Sequence, residues 1–123
     1  MTYYRKRTPD SDLQAYLRNN TDIYSLEDIE TVCAEIAGHN DEDSWFWILK
    51  LKDGRYILTK ASCDYTGWDC SSEGKSWQAK TAIQAAKLAP ELDYGRQIRR
   101  NLLEQLRKKQ PFGLETIYNT GEA

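Results

Sequence analysis

Histidine occurs once in the 123 residues, at His39, and cysteine three times, at Cys33, Cys63 and Cys70. Ser/His/Asp and Cys/His catalysis would both rest on that single imidazole, which follows Gly38 in a stretch that reads as an exposed turn. A covalent or acid–base enzyme is therefore poorly supplied, and no enzymatic activity is expected. Three thiols make no disulfide framework. Apolar runs fall far short of the ~18 residues of a membrane span. There is no glycine-rich phosphate loop, no dinucleotide fingerprint and no His-Glu metal helix. Charge of one sign is not in excess either, with 17 Lys+Arg against 19 Asp+Glu and a net charge of −2.

What is present is a single domain's length with four Trp, eight Tyr and a hydrophobic fraction of 40%. Such a chain can bury a core without a metal or disulfide staple, so no cofactor is expected. Met1 to Asp12 is polar, carries Arg5, Lys6 and Arg7, and has no apolar stretch behind it. No signal peptide is read there, and the expected location is the cytoplasm, with no membrane association. Flexible tails are expected over residues 1–9 and 119–123, with one α+β domain over 10–118.

The charge is segregated. Asp22 to Asp43 holds eight carboxylates and neither Lys nor Arg. Tyr94 to Gln110 sets six cations against Glu104 alone, a net +5. The molecule is expected to be electrically lopsided.

Asp10 or Ser11 can cap a short helix carrying Leu13, Tyr16 and Leu17, stopped near Asn19-Asn20. Ser25-Leu-Glu-Asp28 reads as a capping box. The residues after it fit a helix ending at Gly38, or a strand over Thr31 to Gly38 with Val32, Ala34 and Ile36 on one side; a helical turn followed by the strand is favoured. Ser44 to Leu51 places Trp45, Trp47, Leu49 and Leu51 on one face and Phe46 and Ile48 on the other, so both faces want cover. Lys52-Asp-Gly54 supplies a hairpin turn into a strand over Arg55 to Cys63. Asp64 to Asp69 reads as a loop, and Cys70 to Gln78 as a returning strand broken at Glu73-Gly74. Thr81 can cap a short helix bearing Ile83 and Ala86 and ended by Pro90. Asp93 caps a longer helix with Ile98, Leu102, Leu103 and Leu106, which Pro111 stops. The expected fold is an antiparallel meander of three to four strands packed against C-terminal helices, with a short N-terminal helix.

The densest chemistry is Cys63-Asp-Tyr-Thr-Gly-Trp-Asp-Cys70. As a site, it would present Asp64 and Asp69 to a ligand or a partner's arginine, with Tyr65 and Trp68 as exposed aromatic anchors. Equally well, Gly67 allows a turn, the carboxylates bond loop amides and Trp68 folds back as a lid. Cys63 and Cys70 could face each other across a hairpin, although a permanent bridge is not expected in the cytoplasm. Cys33, His39, Cys63 and Cys70 would make a Cys3His set, but gaps of five and six residues do not match zinc knuckles, and no metal is expected. Arg96, Arg99, Arg100 and Arg107 form a secondary basic surface that could meet phosphate. A slightly acidic domain makes solvation the better reading, and nucleic acid is not the expected partner. Were one sheet face left bare, Phe46, Tyr56 and Trp77 would become a contact surface.

With Trp45-x-Trp47, Asp53-Gly-Arg-Tyr56 and the Cys63 to Cys70 loop in register, the chain resembles a group of small, functionally uncharacterised proteins of bacteria and their phages. The similarity runs from about Gly38 to Ser72. It implies the meander, and a shared surface at Asp64, Tyr65, Gly67, Trp68 and Asp69. The function expected from the two readings together is a non-enzymatic protein-interaction module, phage-derived and modulating a host protein such as a defence complex. A ligand-, metal- or redox-sensing domain using Cys63 and Cys70 is the alternative, and nucleic-acid binding through the basic helix a further one. The protein is expected as a monomer or homodimer.

Overall fold

The computed structural model describes residues 7–89 and 95–108. Helix α1, Ser11–Asn19, begins where the Asp10 carboxylate accepts the Leu13 N–H at 2.8 Å. A 3-10 turn over Leu26–Asp28 follows, held by the Ser25/Asp28 capping box, and leads into β1, Ile29–Ile36. Strands β2 (Trp45–Leu51), β3 (Tyr56–Asp64) and β4 (Gly67–Ala79) come next. Helix α2, Ala82–Lys87, is capped by Thr81, and α3 spans Gly95–Lys108. All strand pairs are antiparallel in the order β1-β2-β3-β4, so the fold is α+β with a four-stranded meander. No described helix is long and apolar enough to cross a membrane.

Both faces of the sheet are covered. Trp45, Trp47, Leu49, Leu51 and Ile57 pack with Leu13 and Tyr16 of α1 and with Tyr24. Phe46, Ile48 and Leu58 pack with the alanines of α2 and with Leu102 and Leu106 of α3. The period-2 pattern of β2 and the stripe at Ile98, Leu102 and Leu106 thus do what their spacing predicts. Because Phe46 is buried and Tyr56 and Trp77 pack against this second cluster, the α2/α3 face is not the bare contact surface considered from the sequence. Between β2 and β3, the Leu51 N–H donates to the Arg55 carbonyl at 2.8 Å and the Gly54 N–H to the Leu51 carbonyl at 3.0 Å, with Gly54 at φ +95°. That is the three-residue hairpin loop expected at Lys52-Asp-Gly54.

Three expectations are corrected. In β1, Val32 pairs with Leu49 and Ala34 with Ile48, leaving Cys33 as an extra residue. This bulge puts Val32 on the α1 face and Ala34 on the α2/α3 face, so they do not share a side. β4 is not broken at Glu73-Gly74, which pair with Ser62 and Ala61. The irregularity lies earlier, because Gly67 pairs with Asp64 and Ser72 with Cys63, so residues 68–71 bulge out of the ladder. Gly74 is needed for a different reason: a Cβ there would come within 2.5 Å of the Tyr16 ring. Finally, Arg7, placed in the flexible tail by sequence, is fastened to β1, where its carbonyl accepts the Val32 N–H at 3.1 Å. The rest of that tail, the Asp93 cap, the stops at Pro90 and Pro111, and residues 119–123 lie outside the described residues.

Candidate partner-binding surface

The β3–β4 hairpin turns through Tyr65-Thr66. Asp64 Oδ1 accepts both the Thr66 N–H, at 3.0 Å, and the Thr66 hydroxyl, at 2.5 Å. Gly67 follows at φ +107°, a conformation that side-chain-bearing residues rarely take. Asp64 and Gly67 therefore build the turn, and what they build presents Tyr65, whose 77% exposure is the highest among the described large hydrophobic residues. Asp69 and Cys70 are exposed on the bulge just beyond.

Trp68 does not join them. It is only 8% exposed, and its ring lies 4.8 Å from Trp45, 6.0 Å from Tyr16 and 6.5 Å from Trp47. Its indole N–H donates to Asp12 Oδ1 at 3.0 Å, while the Trp45 indole donates to Asp12 Oδ2 at 3.2 Å. One carboxylate on α1 thus takes both indole hydrogens, and the expectation of Trp68 as an exposed anchor is replaced by the lid. The bulge is what permits this, since it frees residues 68–71 from the ladder and turns the ring back over the α1 face. Ser72 closes the bulge by donating to the Trp68 carbonyl at 2.8 Å and is itself held by Asn20 Nδ2 at 2.8 Å.

Behind the bulge runs a chain of hydroxyls. Tyr24 Oη and Thr59 Oγ1 are 2.7 Å apart, Thr59 Oγ1 and Ser76 Oγ 2.7 Å, and Ser76 donates to Asp22 Oδ2 at 2.8 Å. Tyr16 donates to the same oxygen at 2.5 Å. Burial, then the hydrogen bond and charge of Asp22, push the Tyr16 phenol well above its ordinary range. Burial chiefly does the same for Tyr24, with the Asp22 charge adding to it. Both stay protonated donors, and the network fixes α1 and the loop after it against β4.

Beside Tyr65, the loop between β1 and β2 comes up against the hairpin, where the Asp41 N–H donates to the Cys63 carbonyl at 2.8 Å. Asp41 itself sits at φ +61°, and Cys63 Sγ donates to Asn40 Oδ1 at 3.4 Å. This contact borders an open hollow of about 360 Å³ lined by Asp41, Glu42, Asp64 and Glu73, joined by the hydroxyls of Ser62, Ser71 and Ser72. Four carboxylates and no cation line it, which suits an ammonium or guanidinium group. A bare metal ion suits it less, because among the described residues no three His, Cys, Asp or Glu side chains are placed to share one.

Of the residues named from the sequence, Asp64, Tyr65, Gly67 and Asp69 lie together at the hairpin tip and its bulge. Sequence reading misses Asp41, Glu42 and Glu73 as companions of Asp64, because the acidic run before Ser44 reads locally as a turn and only the register brings it to the hairpin. Cys63 and Cys70 do not face each other: Cys63 pairs with Ser72, is buried and free, and Cys70 is exposed and free. Burial, then the Asp12 and Asp64 charges, raise the Cys63 thiol, which opposes thiolate chemistry there. Cys33 belongs to the opposite face of the sheet, so the Cys3His set does not assemble. His39 is exposed and lies 3.3 Å from Glu42.

The basic surface is present on α3. Arg96, Arg100 and Arg107 are exposed, whereas Arg99 is half-buried and donates to the Ala89 carbonyl at 3.3 Å, tying α3 to the end of α2. Arg96, Arg99, Arg100 and Arg107, with Leu103, Glu104 and Lys108, line a shallow groove of about 740 Å³. Comparisons with protein-family models, with curated protein sequences and with solved structures find no match to this chain.

Proposed function

We propose that this protein is a non-enzymatic interaction module that receives a basic segment of a partner protein at the tip of the β3–β4 hairpin. The observation that carries this reading is Tyr65, an aromatic side chain held out on a hydrogen-bonded turn at 77% exposure beside the four-carboxylate hollow. Tyr65 supplies apolar contact at little entropic cost, and the carboxylates receive lysine or arginine side chains. Asp69 adds a further exposed carboxylate on the adjoining bulge. An exposed lone histidine and a protonated Cys63 support a role without catalysis. The resemblance to proteins of bacteria and their phages makes a host protein, such as a component of a defence complex, the partner to test first.

The test is affinity capture from bacterial lysate with the wild type and with Tyr65→Ala/Asp69→Ala, both verified by circular dichroism. Trp68 and Asp64 are left alone because they hold the structure. Capture by the wild type only, weakening as salt rises, is the expected result. Equal capture by both would move the site to Arg96, Arg100 and Arg107 of α3. Turnover of a substrate lost in the double variant would replace binding with catalysis.

A further inference from the structure

The two edges of the sheet are finished differently. Ladder alternation, fixed by the Leu51–Arg55 bond, directs the backbone of Val32 and Glu35 in β1, and of Ser72, Gly74 and Ser76 in β4, away from the sheet. On β1 those groups are occupied. The Val32 N–H donates to the Arg7 carbonyl at 3.1 Å, and Arg7 Nε donates to the Val32 carbonyl at 3.3 Å. The Gln105 side chain imitates a strand, its Oε1 accepting the Glu35 N–H at 3.0 Å and its Nε2 donating to the Glu35 carbonyl at 2.7 Å. On β4, by contrast, no strand and no side chain among the described residues pairs the outward amides of Gly74 and Ser76, and Glu73, Gly74 and Lys75 are exposed. Residues 72–76 contain no proline, and their side chains on the α1 face are as small as Ser, Gly and Ser. Such an edge is a template for another strand.

We propose that the β4 edge pairs antiparallel with the same edge of a second copy of this chain, about a two-fold axis at Gly74. Charge selects that occupant and that register. An axis at Gly74 sets Glu73 opposite the second copy's Lys75, and Lys75 opposite the second copy's Glu73, at the closely spaced non-hydrogen-bonded positions. The backbones of Gly74, and of Ser72 with the second copy's Ser76, exchange the hydrogen bonds. An axis at Lys75 would instead set the two lysines against each other, and an axis at Ser76 would form no ion pair. The dimer joins two four-stranded meanders into one eight-stranded sheet with each hairpin tip free at its own end of the pairing.

Sedimentation equilibrium of the full chain over a wide concentration range tests this, with Glu73→Lys and Lys75→Glu as variants on exposed positions. A reversible dimer is expected, weakened about tenfold by either single reversal. An equimolar mixture of the two variants is complementary at both contacts, and it regains wild-type association as heterodimers. The Glu73→Lys/Lys75→Glu double variant regains it as a homodimer. In hydrogen exchange, the Gly74 and Ser76 amides gain protection as concentration rises. A monomer throughout, or a dimer indifferent to both reversals, would overturn the proposal. Protection of these amides only on adding a captured partner protein would also overturn it, and would give the edge to a partner's strand.

Discussion

On the α1 face, three indoles and two phenols are buried together with hydrogen-bonding partners for four of their five polar hydrogens, two on Asp12, one on Asp22 and one shared with Thr59. On the α2/α3 face, six alanines and two leucines of α3 meet Phe46, Ile48 and Leu58 of β2 and β3. Burial area holds the second face, whereas the first is held by area and by direction. Aliphatic packing tolerates small shifts, but a carboxylate that accepts two indole hydrogens fixes α1, β2 and the bulge of β4 relative to one another. That is the face from which the hairpin tip grows. The exposed Tyr65 thus stands on a hydrogen-bonded base although it lies in a turn.

The contrast can be broken from either side. The largest effect is expected from Leu102→Ala, which opens a cavity in the aliphatic layer and costs about 3 kcal/mol in urea unfolding, with the hairpin tip undisturbed. Asp12→Ala comes next at about 2 kcal/mol, since it strands two buried indole hydrogens. Asp12→Asn, which keeps one acceptor, should lose less, and both variants should alter the aromatic circular dichroism of the Trp45/Trp68 pair more than Leu102→Ala does.

A pH series sharpens the distinction. The Tyr16 and Tyr24 phenols are raised in the folded chain, so it holds its protons where the unfolded chain releases them. Their contribution is fully present below the ordinary phenol value of about 10 and is lost as pH climbs through the raised folded values. Unfolding midpoints should therefore fall above that pH, and Tyr24→Phe should flatten the fall while Leu102→Ala leaves its slope unchanged. The smallest effect belongs to Tyr65→Ala, expected to alter stability by less than about 0.5 kcal/mol while it removes partner capture.

Much of the architecture was legible because it is written in local periods: the alternation of β2, the four-residue stripe of α3, the Asp10 cap and the Asp53-Gly54 turn. What could not be read was set by register. The Cys33 bulge reverses the side of every later β1 residue, and nothing in Thr31 to Gly38 announces it. Trp68 was ambiguous because the same eight residues describe an exposed loop or a bulge with its ring tucked in, and the choice rests on Asp12, 56 residues earlier. The acidic hollow was hidden for the same reason, since Asp41 and Glu73 are neighbours only once both hairpins have formed. Asp64, Tyr65 and Gly67 were within reach because a turn's chemistry is local.

The crowding of Trp45, Trp47, Trp68 and Tyr16, with ring centroids between 4.8 and 6.5 Å apart, gives the chain an optical probe of its own. Three of its four indoles sit in one coupled cluster, and Trp68 is three residues from Tyr65. Binding at the hairpin tip is expected to disturb that cluster, and occupancy would then be followed in the unlabelled protein as a change in tryptophan emission and in the aromatic circular dichroism band.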